Sequence, residues 1–451
     1  MPRHKVIHVD PRLSPYTPGA GVQPTHLAGR RDVIEEFDVA RHRMQDGKAA
    51  TFPFITGARG SGKTALFNHL LDAARSQGWC VGAEEAIPGT HLSALIAVLA
   101  SEALHSMTRR HRMSAAIKRA LGVLKAFTSV SVAGVTLNLD VEAVRGTADT
   151  GIFELDLRRL IIEIGEAAQD SSIGVLLALD EAQVIPQEQF RPLDAALHAV
   201  AQRRLPVGFL ACGLFPSWQG AGPETDEPSF YSTAAARLGA NKYMRLLPLS
   251  RIDARSALAL PAHEANADFT PDALEEAVHF SQGNPWLIQL IGDRTWREAS
   301  GPRVDVLAAK TACKRARRDL DAWYFPRILR ECTPAERRVL RIVADLQRRS
   351  TDSSGNADVD FSLLESSFWT RGAAAPGDVP GGLIIGAARN ALADSGEVSF
   401  EEDPHADYDY TKRALLALGR RALVHIDQYA DEFWARITVP HLHSYVLGNP
   451  L

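Results

Sequence analysis

The chain has 451 residues, more than one compact core normally organises, which points to two or three domains. An apolar fraction of 45% and a charged fraction of 23% are those of an ordinary globular protein and exclude disordered, collagen-like and coiled-coil classes. The formal net charge of -4 excludes a polycation, so a nucleic-acid contact would have to come from a local patch.

The four cysteines, Cys80, Cys212, Cys313 and Cys332, form no C-x-x-C pair and read as reduced, partly buried thiols of a cytosolic protein. The opening MPRHKVIHVD lacks the apolar segment of a secretory signal, and no apolar run reaches the roughly 18 residues of a membrane helix. A cytoplasmic location is the expectation.

Residues 1–24, rich in Pro and Gly, read as an irregular lead-in. Helical spacing of Val33, Ile34, Phe37 and Ala40 follows over 32–47, then TFPFIT as a buried strand, the glycine loop GARGSGKT and the helical run ALFNHLLDAARSQG. Residues 91–125 read as helical. Residues 129–141 (SVSVAGVTLNLDV) have strand composition about a central Gly, so the stretch of about 111–150 reads as an inserted hairpin. A helix over 154–169 precedes the buried strand GVLLALDEAQ, and LPVGFLACG from Leu205 is a further strand. Strands alternating with helices imply a mostly parallel sheet.

After about residue 250 the strands are expected to stop. Three helices are read near 250–262, 271–282 and 285–299, with Pro271 in the first turn after Thr270. Residues 302–330 read as a connecting helix. T-P-A-E makes a capping box of Thr333 with Glu336, and Ser362 with Glu365 repeats the pattern. RALVHID and FWARITVP are strand-like, so the C-terminal order is that of a winged helix. The divisions expected are a core over 25–249 with the 111–150 insertion, a helical lid over 250–300, a linker helix over 301–331 and a winged-helix-like domain over 332–451.

Gly57-Ala58-Arg59-Gly60-Ser61-Gly62-Lys63-Thr64 matches G-x-x-x-x-G-K-[ST] at every fixed position, between a strand and a helix as the phosphate loop requires. Composition alone gives such a string in about one chain in a hundred of this length. The glycines let the backbone fold around phosphate, and the helix beginning near Lys63, Thr64 and Ala65 adds its positive dipole end. Lys63 is placed to reach the β- and γ-phosphates and Thr64 to bind Mg²⁺.

Asp180 and Glu181 end the buried strand Gly174–Leu179 at the carboxyl edge of a parallel sheet, where ligands bind. Asp180 suits the Mg²⁺ shell and Glu181 the polarisation of attacking water. Gln183 either senses the γ-phosphate or hydrogen-bonds a loop. Cys212, at the end of the next strand, stands where a polar γ-phosphate contact is common and is a weak substitute for it. Arg237, in Ala234–Leu238, suits stabilisation of transition-state charge on a neighbour's nucleotide, a surface ion pair being the alternative; Arg245 is the poorer candidate because it lies within an apolar run.

LAGRRDVIEEF before the loop, DEAQ, the ARL element and Gly283-Asn284-Pro285 together resemble the AAA+ ATPases of the origin-recognition-complex branch and the related signal-transduction (STAND) ATPases, over about 25–300. The resemblance implies an α/β P-loop NTPase core with a parallel sheet, a small helical lid and a C-terminal winged-helix domain. It also implies ATP or ADP with Mg²⁺ as ligands, and an adenine lying against Leu27–Arg30, including Arg30, and against the turn at Pro285. The lid arginine usual in the origin-recognition branch is replaced by Trp286, which favours the STAND-like side.

Residues 310–349 hold twelve Lys or Arg against five acids, which suits either phosphate tracking or a solvated helix face. The expected reading helix, 382–394, offers only Arg389 and Asn390 to bases, and EEDPHADYDY would repel DNA, so sequence-specific reading is not expected. The function expected is Mg²⁺-dependent ATP hydrolysis driving a conformational or assembly switch on DNA. The alternative is a nucleotide-state switch with little turnover that engages a protein. Partners expected are further copies of this chain, and double-stranded DNA or a protein at the C-terminal domain.

Overall fold

A computed structural model of the chain describes residues 10–19, 21–110, 113–131, 140–214, 243–354 and, near the C-terminus, 413–415, 417–419, 421, 423–429 and 432–449. Five strands form one parallel sheet in the order β2-β3-β4-β1-β5: β1 (Phe54–Gly57), β2 (Cys80–Glu85), β3 (Val175–Asp180), β4 (Val207–Leu214) and β5 (Tyr243–Leu246). The sequence VLLALD of β3 is buried at every position, as a parallel strand covered on both faces must be.

Each face has its own core. On one side α1 (Arg31–Gln45) and α2 (Lys63–Ser76) bring Phe37, Leu66 and Leu70 against Phe52, Trp79 and Leu176. On the other, α3 (Leu92–Arg110), α4 (Ala115–Ser131), α5 (Phe153–Asp170) and α6 (Arg191–Gln202) form a helical layer.

The inserted-hairpin reading of 111–150 is corrected where the structure describes a helix, over 115–131. Residues 115–131 are helix α4, whose Ile117, Ala120, Leu121, Leu124 and Phe127 are buried at helical spacing. The β-branched, serine-rich stretch that suggested a strand begins at Ser129, which is the last turn of this helix; residues 132–139 lie outside the described ones. Arg119 of α4 fixes the layer by donating through Nε and Nη2 to both carboxylate oxygens of Glu163 at 2.7 and 2.8 Å.

The lid consists of α7 (Arg251–Glu264), α8 (Pro271–Ser281) and α9 (Pro285–Glu298). Each starts on a side-chain cap, with Ser250, Thr270 and Asn284 accepting from Asp253, Ala273 and Leu287 amides. Strands do not stop at 250: Asp268–Phe269 (β6) pairs in parallel with Arg303–Val304 (β7) and ties the ends of the lid together.

The expected linker helix is two helices, α10 (Val306–Asp319) and α11 (Phe325–Arg330), joined by a π-turn at Leu320–Tyr324. The capping box that opens α12 (Pro334–Ser354) is present, with Thr333 N donating to Glu336 Oε2 at 2.8 Å and Glu336 N to Thr333 Oγ1 at 3.2 Å. The strand-like runs are the antiparallel pair β8 (Val424–Tyr429) and β9 (Glu432–Ile437), followed by α13 (Leu442–Gly448). The second capping box, the reading helix with Arg389 and Asn390, and the acidic EEDPHADYDY fall outside the described residues.

One continuous apolar core runs from Tyr16 through Leu258, Ile291 and Trp296 of the lid to Phe325, Leu340 and Val446. The described part of the lead-in is therefore packed: the Tyr16 hydroxyl donates to Leu258 O at 2.5 Å and the Trp296 indole to Asp10 O at 3.0 Å. Among the described residues no helix is long and apolar enough to cross a membrane.

His441 joins the C-terminal elements to the lid. Its ring lies 4.7 Å from that of Phe280, and Nε2 donates to Phe280 O at 2.8 Å. Burial pulls its pKa from 6.5 down to about 4, with Arg317, His443 and His279 adding cationic neighbours. Below about pH 6.5 the unfolded chain takes up a proton that the folded one refuses, so stability is lost as pH falls from about 6.5 towards about 4, by up to about 3 kcal/mol. Thermal melts at pH 7 and pH 5 should show a larger drop for the wild type than for His441→Asn, which tolerates the left-handed backbone (φ 63°) there. Equal drops would remove His441 from the acid sensitivity.

Candidate functional site

The loop of residues 57–62 leaves β1 and turns into α2 through Gly62, whose φ of 84° favours glycine. Its carbonyls are all engaged. Lys63 Nζ donates to Gly57 O at 3.2 Å and to Ala58 O at 2.9 Å. Asn284 Nδ2 donates to Arg59 O at 3.2 Å, Trp286 N to Gly60 O at 3.1 Å, an Arg30 guanidinium N–H to Ser61 O at 2.9 Å, and Leu66 N to Gly62 O at 3.0 Å. Across a trans peptide the N–H points opposite to the C=O, so the carbonyls of Ser61 and Gly62, engaged by Arg30 and Leu66, turn the Gly62 and Lys63 N–H groups away from those partners, while Ser61 N donates to Ala58 O at 3.3 Å.

Asp180 closes β3 and is buried. Its Oδ1 accepts from Glu181 N at 2.7 Å and from the Cys212 thiol at 2.6 Å. Glu181 has a left-handed backbone, φ 52° and ψ 33°, a sparsely populated conformation of the kind that clusters at functional sites. Glu181 at the end of β3 and residues 59–62 of the loop share one cavity of about 630 Å³, lined among others by Lys63, Thr64, Gln183 and Pro285.

Burial lowers the pKa of Lys63 from its ordinary value, and the carboxylates of Glu181 and Asp180 work against that. A buried ammonium at the N-terminus of α2 fits an anion such as a polyphosphate. The Ser61 hydroxyl, buried in the loop with no hydrogen-bond partner among the described residues, fits too. The cavity continues past Val22, Leu27, Ala28, Leu249 and Ile288, an apolar lining that suits a flat heterocycle.

The structure thus brings Arg30, Arg59, Gly60, Ser61, Gly62, Lys63, Thr64, Ala65, Glu181 and Pro285 into one cavity lining, while Gly57 and Ala58 meet it through their carbonyl bonds to Lys63 and Asp180 through its bond to the Glu181 amide. Arg30 also staples the loop to the segment after β5, donating to Leu247 O at 3.0 Å. Cys212 meets Asp180, a partnership that the sequence reading did not anticipate. Arg237 lies outside the described residues, and Arg245 sits in β5 opposite Thr56.

Three further features escaped the sequence. The Trp286 indole donates to Pro18 O at 3.1 Å and stacks on Tyr324 at 5.0 Å. Thr17 N donates to Gln289 at 3.0 Å, so the lead-in straps across the lid. Arg59 Nε donates to Arg421 O at 2.8 Å, joining the loop to the C-terminal elements.

All four cysteines are buried. Burial, with Asp180 alongside, pushes the Cys212 thiol well up, and burial raises Cys313 to about 12. Thiolate is the reactive form, so a thiol reagent at pH 8 should leave all four unmodified in the native protein and label all four after denaturation. Native labelling of Cys212 would contradict its placement against Asp180.

Residues 26–210 match the family model described as AAA ATPase domain. Among solved structures, the chain is similar to the Aeropyrum pernix ORC2 protein at 13% identity, with 96% of this chain and 95% of that one covered and a TM-score of 0.47. It is similar to Cdc6p from Pyrobaculum aerophilum at 13% identity, coverage 98% and 97%, TM-score 0.42. It is also similar to the Thermotoga maritima RuvB Holliday junction branch migration motor at 12% identity, coverage 96% and 99%, TM-score 0.41. No curated protein matches the chain.

Proposed function

From an AAA ATPase domain over residues 26–210, we propose that this chain binds ATP and hydrolyses it to ADP and phosphate, using the energy for a conformational or assembly switch. The observation that carries the reading is the convergence of Lys63 and Glu181 on one cavity at the N-terminus of α2, with Asp180 bonded to the Glu181 amide. Loop amides and Lys63 bind the β- and γ-phosphates; Glu181 takes a proton from the attacking water. Thr64 and Asp180 would hold Mg²⁺, which when bound neutralises phosphate charge. The apolar lining between Leu27 and Pro285 receives the base, and Arg237 acts on a neighbouring copy's nucleotide.

Lys63→Ala should abolish binding of ATP with Mg²⁺ in calorimetry, because it removes the cation facing the phosphates. Glu181→Gln should bind ATP normally and hydrolyse it at least about a hundredfold more slowly in single turnover. Wild-type affinity in the first variant, or wild-type turnover in the second, would overturn the corresponding role.

A second reading, a nucleotide-held switch with little turnover that engages a protein, is favoured by one observation. The lid residue bonded to Gly60 O is Trp286, and its indole is spent on Pro18 O, so no lid arginine acts from that position. Steady-state ATPase rate with and without DNA separates the two.

For DNA, the structure sorts the basic residues. Arg315 pairs with Glu298, Arg317 with Asp321 and Arg348 with Asp345, while Arg337 donates to Leu329 O and Cys332 O. Lys310, Lys314 and Arg318 are exposed on α10 at helical spacing and make the phosphate-tracking stripe of this reading. Duplex DNA should bind with little sequence preference, and reversing these three charges should lower the slope of log K against log salt by about 3. An unchanged slope would exclude the stripe.

A further inference from the structure

We propose that Gln183 is the positioning residue that fixes the Glu181 carboxylate for work on water, by bridging it to the end of β4. The inference rests on the reading of Glu181 given above.

The Gln183 side-chain amide is committed at both ends. Its Nε2 donates to Glu181 Oε2, and its Oε1 accepts the Leu214 N–H at 2.8 Å. Leu214 is the last residue of β4, a strand of the sheet, so the carboxylate is referenced to a rigid element and not to a loop.

Space is made for this bridge. A Cβ on Gly213 would stand 2.6 Å from Gln183 Oε1, closer than real contacts allow. The backbone cooperates. Glu181 is held left-handed, its N–H bonded to Asp180 Oδ1 at 2.7 Å, and the 3-10 turn Ala182–Val184 that follows carries Gln183 back over it. Val184 N closes the turn on Glu181 O at 3.0 Å.

The chemistry asks for glutamine. A carboxylate that is to accept a proton needs one oxygen held and the other left for water. An amide supplies a donor without charge and keeps an acceptor for Leu214. Asparagine is one methylene shorter than this bridge. Glutamate would keep the Leu214 bond but set a second negative charge against Glu181.

That difference gives the test. Single-turnover hydrolysis at saturating ATP and Mg²⁺, with ATP affinity by calorimetry, is measured on the full chain carrying Gln183→Ala, Gln183→Glu or Gln183→Asn, each alone and with Glu181→Gln. Gln183→Ala and Gln183→Asn should slow hydrolysis by about tenfold with ATP affinity unchanged, and Gln183→Glu by more, although it retains the bond to Leu214. With Glu181→Gln in place, none should cause a further loss, because the group being positioned is gone. A purely structural role predicts the reverse: Gln183→Glu close to wild type, and losses that add to that of Glu181→Gln. If Glu181→Gln is slow while Gln183→Ala and Gln183→Glu both turn over at the wild-type rate, the positioning role is wrong and the ATPase reading stands. If Glu181→Gln itself keeps wild-type turnover, the assignment of Glu181 falls, and the bridge with it.

Discussion

A backbone that is to present N–H groups to an anion must send its carbonyls elsewhere, and a buried carbonyl without a donor is costly. The loop of residues 57–62 meets this condition carbonyl by carbonyl, through Lys63 at Gly57 and Ala58, Asn284 at Arg59, Trp286 at Gly60, Arg30 at Ser61 and Leu66 at Gly62. Those donors come from three separate stretches of chain. The entry to α1 supplies Arg30, α2 supplies Lys63 and Leu66, and the lid turn supplies Asn284 and Trp286. The conformation of the loop therefore depends on the core and lid being packed together. The apolar clusters on the two faces of the sheet and across the lid carry the energy that holds it there.

Charge obeys the same economy. Lys63 is buried against carbonyls with Asp180 and Glu181 as its anions, and Asp180 is in turn satisfied by the Cys212 thiol and the Glu181 amide. A thiol at the end of β4 serves as the neutral donor there. Its weakness as a phosphate contact is matched by its suitability as a partner for a buried carboxylate, since burial keeps it protonated.

What the sequence disclosed follows from range. β1, β3 and β4 were legible because each is a short apolar run ending in chemistry. The lid helices were legible through their caps, and the Thr333–Glu336 box spans only three residues. The edge strands β2 and β5 were not, because CVGAEE is buried only over its first half and YMRL merges with the apolar run after it. Helix α4 was misread where its last turn becomes rich in Ser and Val. The contacts of Trp286 with Pro18 and of Arg59 with Arg421 span 268 and 362 residues, and no local pattern encodes such a pairing.

These long-range contacts constrain how the site can respond to a ligand. Arg59 uses its carbonyl on the lid and its guanidinium on the Arg421 carbonyl, so one loop residue is tied to two elements outside the sheet. The lid and the C-terminal elements share a single apolar core, and His441 adds a polar contact between them at Phe280. Packed cores resist gradual deformation and move as units. A shift of the loop about a bound phosphate is consequently shared between lid and C-terminal elements together, or else breaks the Arg59 bond to Arg421. The Arg59–Arg421 bond is thus the point at which the position of the loop and that of the C-terminal elements constrain each other.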